Sequence, residues 1–160
     1  MIDERINDRP EIRIDHDGKW SYRNMEMNRE DIIRYFYDHL HRDEQGYYHI
    51  KTETEQCRIQ VDDVPYVIRM ASLRSADKDG QNPAMLIDLS DGSCEELNPE
   101  TLWIGQKNRV YCLVKEARHE ARFSRQAYYQ LAEHIEHDPS RDRYFITIGN
   151  HSYPLNSKQI

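Results

Sequence analysis

Three cysteines, six glycines, no basic run and no long apolar stretch are the first things a reading of this 160-residue chain meets. Cys57, Cys94 and Cys112 are odd in number and widely scattered. That excludes a disulfide frame and a zinc knuckle, and the three read as reduced core thiols. The few glycines form no signature between a strand pattern and a helix pattern, so P-loop nucleotide hydrolysis is excluded. No apolar run approaches the roughly 20 residues that span a bilayer. The start Met1-Ile2-Asp3-Glu4-Arg5 lacks a basic end followed by an apolar stretch, so the expectation is a cytoplasmic protein with no membrane partner. With 29 acidic against 22 basic residues the formal charge is −7. Clustered positive charge is missing, which argues against duplex DNA or RNA as a partner. A single anionic small molecule held by two or three arginines remains compatible with that balance.

Aliphatic residues are scarce as well. Leu, Ile, Val and Phe make up 32 residues, at the border below which chains tend to stay unfolded. Eleven Tyr and two Trp at a modest net charge reverse that reading, because disorder also requires few aromatics. The expectation is a folded chain whose core uses tyrosine, as one domain or two small ones sharing an interface.

Periodicity supplies the elements. Ile12 and Ile14 alternate with polar residues, Asp15-His16-Asp17-Gly18 carries turn chemistry, and Trp20 and Tyr22 return as a second strand. Asn28 stands as a helix cap before the stripe Ile32, Ile33, Phe36, Tyr37 and Leu40. Strands follow from Tyr47, around Cys57, Ile59 and Val61, and again from Tyr66 to Met70, after the break at Pro65. Ser75 to Pro83 has no periodicity and marks the expected division, with an N-terminal domain over residues 1–75 and a C-terminal one over 76–160. Beyond it come a hairpin around Ser90-Asp91-Gly92, the apolar strand Val110 to Val114, and a strand on which Arg118, Glu120 and Arg122 share one face. Ser124 caps a second helix with the stripe Tyr128, Leu131, Ala132 and Ile135, and Pro139 ends it. Sliding the sequence by 96 residues lays Asn28 on Ser124, Ile32 on Tyr128 and His41 on His137. The expectation is an α+β fold of internally duplicated β-β-α-β units.

Candidate chemistry is sparse. His134 and His137 have a metal-ligand spacing, but in the last turn of a helix they serve the dipole instead. Asp62 and Asp63 could divide acid and base roles in a small hydrolase, yet beside Pro65 they read as turn residues. Cys57 shares a face with Ile59 and Val61 and reads as core. Arg118 and Arg122, with Tyr128 and Tyr129 opening the next helix, could grip an anion and stack a ring. The alternative is a solvated strand face beside a buried tyrosine stripe.

These stretches together resemble an uncharacterised bacterial family, a domain of unknown function whose members carry two tandem related domains. The matching segments are Pro10-Glu11-Ile12-Arg13-Ile14 through Trp20, Gly46-Tyr47-Tyr48 through Glu55-Gln56-Cys57-Arg58 to Val67, Glu120-Ala121-Arg122-Phe123-Ser124 through Tyr129, and Gly149 through Tyr153-Pro154-Leu155. The resemblance implies a C-terminal half similar to pleckstrin-homology-like barrels, with a helix. It also implies a ligand site between the halves suited to a nucleotide-like molecule, and a role in signal transduction. No catalytic residue and no cofactor is implied. Residues of the matched segments expected at such a site are Glu55, Arg58, Asp62, Asp63, Tyr66, Arg122, Tyr128 and Tyr129. The expectation is therefore a ligand-binding regulatory module; its alternative is a protein-interaction adaptor without a small-molecule ligand, and a small hydrolase using Asp62 or Asp63 ranks last.

Overall fold

A computed structural model describes residues 10–76 and 82–157 of the chain. It falls into two compact units, Met1–Asp63 and Val64–Ile160. Among the described residues strands dominate and only two α-helices occur. The fold is mostly β, with more strands per helix than the α+β arrangement of β-β-α-β units that the sequence suggests.

In the first unit the alternating isoleucines form β1 (Ile12–Ile14), followed by β2 (Trp20–Tyr22) and β3 (Met25–Glu26). The Asp15 carboxylate accepts the backbone N–H groups of Asp17 and Lys19, both at 2.9 Å, and so closes the β1–β2 turn. Helix α1 (Glu30–Asp38) comes next. Its N-cap is Arg29, not Asn28, and no side chain caps it; Glu30 and Asp31 in the first turn complement the dipole instead. Leu40, which continues the helical stripe, already belongs to β4 (Leu40–Arg42). With β5 (Tyr48–Lys51) and β6 (Gln56–Val61) the sheet has the order β3-β2-β1-β6-β5-β4, and β1 pairs with β6 in parallel. Ile14, Trp20, Ile50, Ile59 and Tyr37 are buried. The Trp20 ring meets Tyr37 edge-on at 4.9 Å between centroids and Phe36 at 5.8 Å.

The second unit begins with β7 (Tyr66–Arg74), β8 (Ala84–Leu89) and β9 (Cys94–Glu96). β10 (Trp103–Ile104), β11 (Val110–Val114), β12 (His119–Phe123) and α2 (Arg125–Ala132) follow, then β13 (Ile135–Asp138), β14 (Arg143–Ile148), β15 (His151–Pro154) and β16 (Asn156–Ser157). One sheet has the order β16-β10-β11-β12-β7-β8-β9, and a second has β13-β14-β15. Ile68, Ile87, Leu89, Leu102, Cys112, Ala121 and Leu131 fill the core.

Arg74 of β7 pairs with Ala84 of β8 in an antiparallel ladder. The segment expected to link two domains therefore joins two strands of one sheet; its residues 77–81 lie outside the described ones. The division falls between Asp63 and Val64, because all of β7 is committed to β8 and β12.

Ser124 caps α2 as its chemistry suggests, its Oγ accepting the Ala127 N–H at 3.1 Å. The helix buries Ala127 and Leu131 and leaves Tyr128 and Tyr129 exposed. It stops at Ala132, and Ile135 pairs with Ile146 as a strand residue. His137 is thus in β13 and not in a last helical turn, and its Nε2 lies 3.0 Å from Asp142 Oδ1. Arg118 also leaves the face assigned to it. It sits in the β11–β12 turn, where its Nε donates to the Lys115 carbonyl at 3.0 Å. Of the three thiols only Cys112 is buried; Cys57 and Cys94 are exposed. Cys57 comes one residue into β6, beside the β5–β6 turn, before that face of the strand becomes covered at Ile59.

Candidate functional site

Register sets the outer face of the first unit. His41 of β4 stands opposite His49 of β5, and His49 opposite Arg58 of β6. Directly opposed residues share a sheet face, so three basic side chains form a row across three strands. Tyr47 is the diagonal neighbour of Arg58, and the Arg58 guanidinium carbon lies 3.7 Å from the centroid of its ring. This is a close cation–π stack on a ring that stays 45% exposed. Among the described residues Arg58 has no carboxylate partner. His49 is anchored differently. Its Nε2 lies 2.8 Å from Asp43 Oδ2, and that bond holds the Asp43 carboxyl below its usual range. Asp43 also closes the β4–β5 turn by accepting the Gln45 and Tyr47 N–H groups, both at 2.9 Å.

The other expected residues of this unit are structural. Asp62 accepts Arg13 Nε at 2.9 and 3.0 Å, Arg13 Nη2, and Gln60 Nε2 at 2.9 Å. The Arg13 guanidinium holds the Asp62 carboxyl below its usual range, which suits a clasp across β1 and β6 and not a proton-transfer group at neutral pH. Glu55 closes the β5–β6 turn: its N–H donates to Thr52 Oγ1 at 3.0 Å and its carbonyl accepts the Thr52 N–H at 2.8 Å. Asp63 is the half-buried last residue of the unit.

In the second unit Tyr66 is 2% exposed. Its ring packs 5.6 Å from the His119 ring and 5.7 Å from Lys115 Nζ. Arg122 stands opposite Tyr111 on one side and Val67 on the other, with its Nε buried. Tyr128 and Tyr129 lie together in the middle of α2, 5.8 Å between centroids, and are open to solvent. Within this unit, then, the tyrosine pair is brought together and Tyr66 is withdrawn into the core.

Sequence reasoning missed Tyr47 as the platform for Arg58, although the register of a hairpin between Tyr48 and Cys57 would have placed them diagonally. Among the described residues no three His, Cys, Asp or Glu side chains are placed to hold a metal, and no helix is long and apolar enough to cross a membrane.

Residues 4–64 match the family described as "Domain of unknown function (DUF1285), N-terminal domain". Among solved structures the chain is similar to a DUF1285 family protein from Silicibacter pomeroyi DSS-3, with a TM-score of 0.74 and 22% identity over 92% of this chain and 80% of that one. It is also similar to a DUF1285 family protein from Shewanella baltica OS155, with a TM-score of 0.62 and 21% identity over 78% of this chain and 91% of that one. At these identities the likeness is one of fold. Among curated proteins no match is found.

Proposed function

From the DUF1285 N-terminal domain recognised over residues 4–64, we propose that the protein is a ligand-binding regulatory module for a small anionic, nucleotide-like molecule, working in the cytoplasm in signal transduction. One observation carries the reading: Arg58, stacked on an exposed Tyr47 and without a carboxylate partner among the described residues, on a protein of net charge −7. A guanidinium fixed by an aromatic face presents its remaining donors in a set orientation, which matches the paired oxygens of phosphate or carboxylate. His49 and His41 extend the row, and the exposed Tyr47 edge offers a surface to a ring. Arg122 and the Tyr128–Tyr129 pair are the corresponding resources of the second unit.

The internal duplication belongs to the same proposal. It is supported by the recurrence of a helix followed by three antiparallel strands, α1 with β4 to β6 and α2 with β13 to β15. The pleckstrin-homology-like reading of the C-terminal unit draws support from one helix packed against a large, mostly antiparallel sheet.

A thermal-shift screen of nucleotides and related anionic metabolites tests the function. A ligand at a hundred times its Kd raises stability by about 2.7 kcal/mol. Arg58→Ala is expected to abolish the shift and Arg58→Lys to retain part of it. A panel that leaves the parent protein unmoved refutes the proposal. The second reading, an interaction adaptor, is favoured by Met25 at 75% and Tyr22 at 43% exposure on the edge hairpin of β2 and β3. Met25→Lys abolishing a partner's binding while leaving ligand shifts intact would decide for it.

A further inference from the structure

His49 occupies the centre of the row on the first sheet, and the register fixes its surroundings. It lies opposite His41 of β4 and Arg58 of β6, with Tyr47 and Lys51 as its same-face neighbours along β5. Those side chains and Asp43 are the charged and titratable groups that face it; Glu44 is exposed in the turn beyond Asp43. Only 15% of the His49 side chain is exposed. Among the described residues its ring makes one hydrogen bond, from Nε2 to Asp43 Oδ2 at 2.8 Å. A carboxylate only accepts, so Nε2 carries a proton. Nδ1 has no hydrogen-bond partner among the described residues and is not enclosed, so it faces water. It is a bare lone pair in the neutral ring and an N–H donor in the cation.

Resting on the Arg58 reading above, we propose that anion binding at this row is proton-coupled: the anionic group sits between Arg58 and His49, and binds with His49 as the imidazolium. Both side chains lean towards one end of the sheet. The Arg58 guanidinium lies over Tyr47 and His49 reaches Asp43, and those two targets face each other across the β4–β5 turn, where the Asp43 N–H donates to the Tyr47 carbonyl at 2.9 Å. Directly opposed residues on neighbouring strands have Cβ atoms about 5 Å apart, so an anion on the open donors of Arg58 lies close to the His49 ring. With that ring neutral, the Nδ1 lone pair and the uncompensated Asp43 carboxylate both repel the anion. One proton reverses both effects, turning Nδ1 into a donor and cancelling the charge of Asp43. Coupling is reciprocal, so an anion that prefers the cation also favours its protonation. His41 is exposed and bonds to no carboxylate among the described residues, so it lacks this second effect. An ordinary imidazole changes charge between about pH 5 and 8; mild acid therefore loads the site and mild base empties it.

Sodium sulfate is the probe, because it stays a dianion across this range and any pH dependence belongs to the protein. The full chain is titrated at fixed ionic strength at about pH 5.5 and about pH 8.5, with affinity read from amide NMR shifts at Tyr47, His49 and Arg58. Calorimetry at neutral pH in two buffers of different ionisation enthalpy reads the protons exchanged. Sulfate is expected to bind about tenfold more tightly at the lower pH, with net proton uptake. His49→Gln keeps an N–H donor for Asp43 and is expected to bind at the parent's high-pH strength under both conditions, with no proton uptake; it also controls for the change in net charge with pH. His41→Gln should keep most of the pH dependence, and Arg58→Ala should lose binding at both values. Amide spectra that otherwise match the parent's verify the fold of each variant. Equal affinity at both pH values, or a full pH dependence in His49→Gln, overturns the coupling and leaves the ligand-binding reading standing. If sulfate gives no saturable shift at either pH the coupling also falls, and the nucleotide screen then decides whether that reading falls with it.

Discussion

Lys115 extends from the β11–β12 turn to place its Nζ 2.7 Å from Asp91 Oδ2 in the β8–β9 turn. The same ammonium donates to Ser93 Oγ at 2.8 Å, and the Lys115 N–H donates to Glu95 Oε1 at 3.1 Å. These bonds converge on a turn where Lys115, Glu116 and Ala117 have φ of 54°, 58° and 64°. Left-handed backbone in residues with a Cβ costs about 1–2 kcal/mol each, so the ion pair and its neighbours hold a strained turn in place.

Removing the counter-charge should be expensive. Asp91 keeps only 8% of its side chain exposed and Lys115 23%, so Asp91→Asn leaves a largely buried ammonium without its partner. A loss of about 2 kcal/mol is expected, below the range for fully buried pairs because Lys115 retains some water. Ala117→Gly should act oppositely and stabilise by about 1 kcal/mol through relief of the turn. Urea unfolding midpoints at pH 7 measure both.

The Arg13–Asp62 clasp makes an acid-dependent contribution. Hydrogen bonding to Arg13 depresses the Asp62 carboxyl in the folded chain, so the folded state favours the carboxylate. Its contribution is fully present above the unfolded value of about 3.9 and is lost as pH falls through the lower folded value. Asp62→Asn is expected to cost about 1 kcal/mol at pH 7, discounted for the half-exposed Arg13. It should also flatten the slope of stability against pH below about 4. An Asn variant whose acid unfolding curve parallels the parent's would contradict the assignment.

Strands and turns were readable because they obey short-range rules: Ile12 and Ile14 alternate, and Asp15 and Asp43 each close a turn by accepting N–H groups two and four residues ahead. Helix ends were not. Leu40 and Ile135 fall at positions that fit both a helical stripe and the strand that follows, and only their ladders to Ile50 and Ile146 decide the matter. The domain division misled for a related reason, since a polar hairpin loop and a linker have the same composition. Arg58 was picked out, but its partner Tyr47 depends on hairpin register. The Lys115 turn carries no glycine to announce its left-handed backbone, and nothing in its composition marks the strain.

Gly105 is required for room. A Cβ there would stand 2.7 Å from Tyr111 Cε2 and 3.1 Å from Cδ2. Tyr111 is buried and stacked on Trp103 with planes 10° apart, so its ring has no free direction in which to yield. Gly105→Ala should cost about 1–3 kcal/mol and alter the near-ultraviolet circular dichroism of the Trp103–Tyr111 stack. Conserved stability and an unchanged spectrum would show that the ring moves freely.

The three cysteines should separate by reactivity. Burial pushes the Cys112 thiol up, and its side chain is fully enclosed. Cys57 and Cys94 are also raised by desolvation but remain exposed. Alkylation of the folded protein is expected to add two labels, faster as pH rises towards the thiol range, with the third appearing only on unfolding. Mass spectrometry of native and urea-treated samples reads the count directly. A third label on the native protein would place Cys112 outside the core.

Gln130 solves a problem created by the topology. β12 pairs with β7 only from Tyr66 to Ile68, so among the described residues the rest of β7 has no strand on that side. The Ala71 N–H, on a residue 4% exposed, donates to Gln130 Oε1 of α2 at 2.8 Å, so a helix side chain replaces the missing ladder partner and blunts the open edge. Gln130→Ala strands that buried donor and is expected to cost about 1–2 kcal/mol, with faster hydrogen exchange at the Ala71 amide. Gln130→Glu keeps an acceptor oxygen in the same place and should restore most of the protection. If the Ala variant exchanges at the parent's rate, the edge is closed by something other than this one side chain.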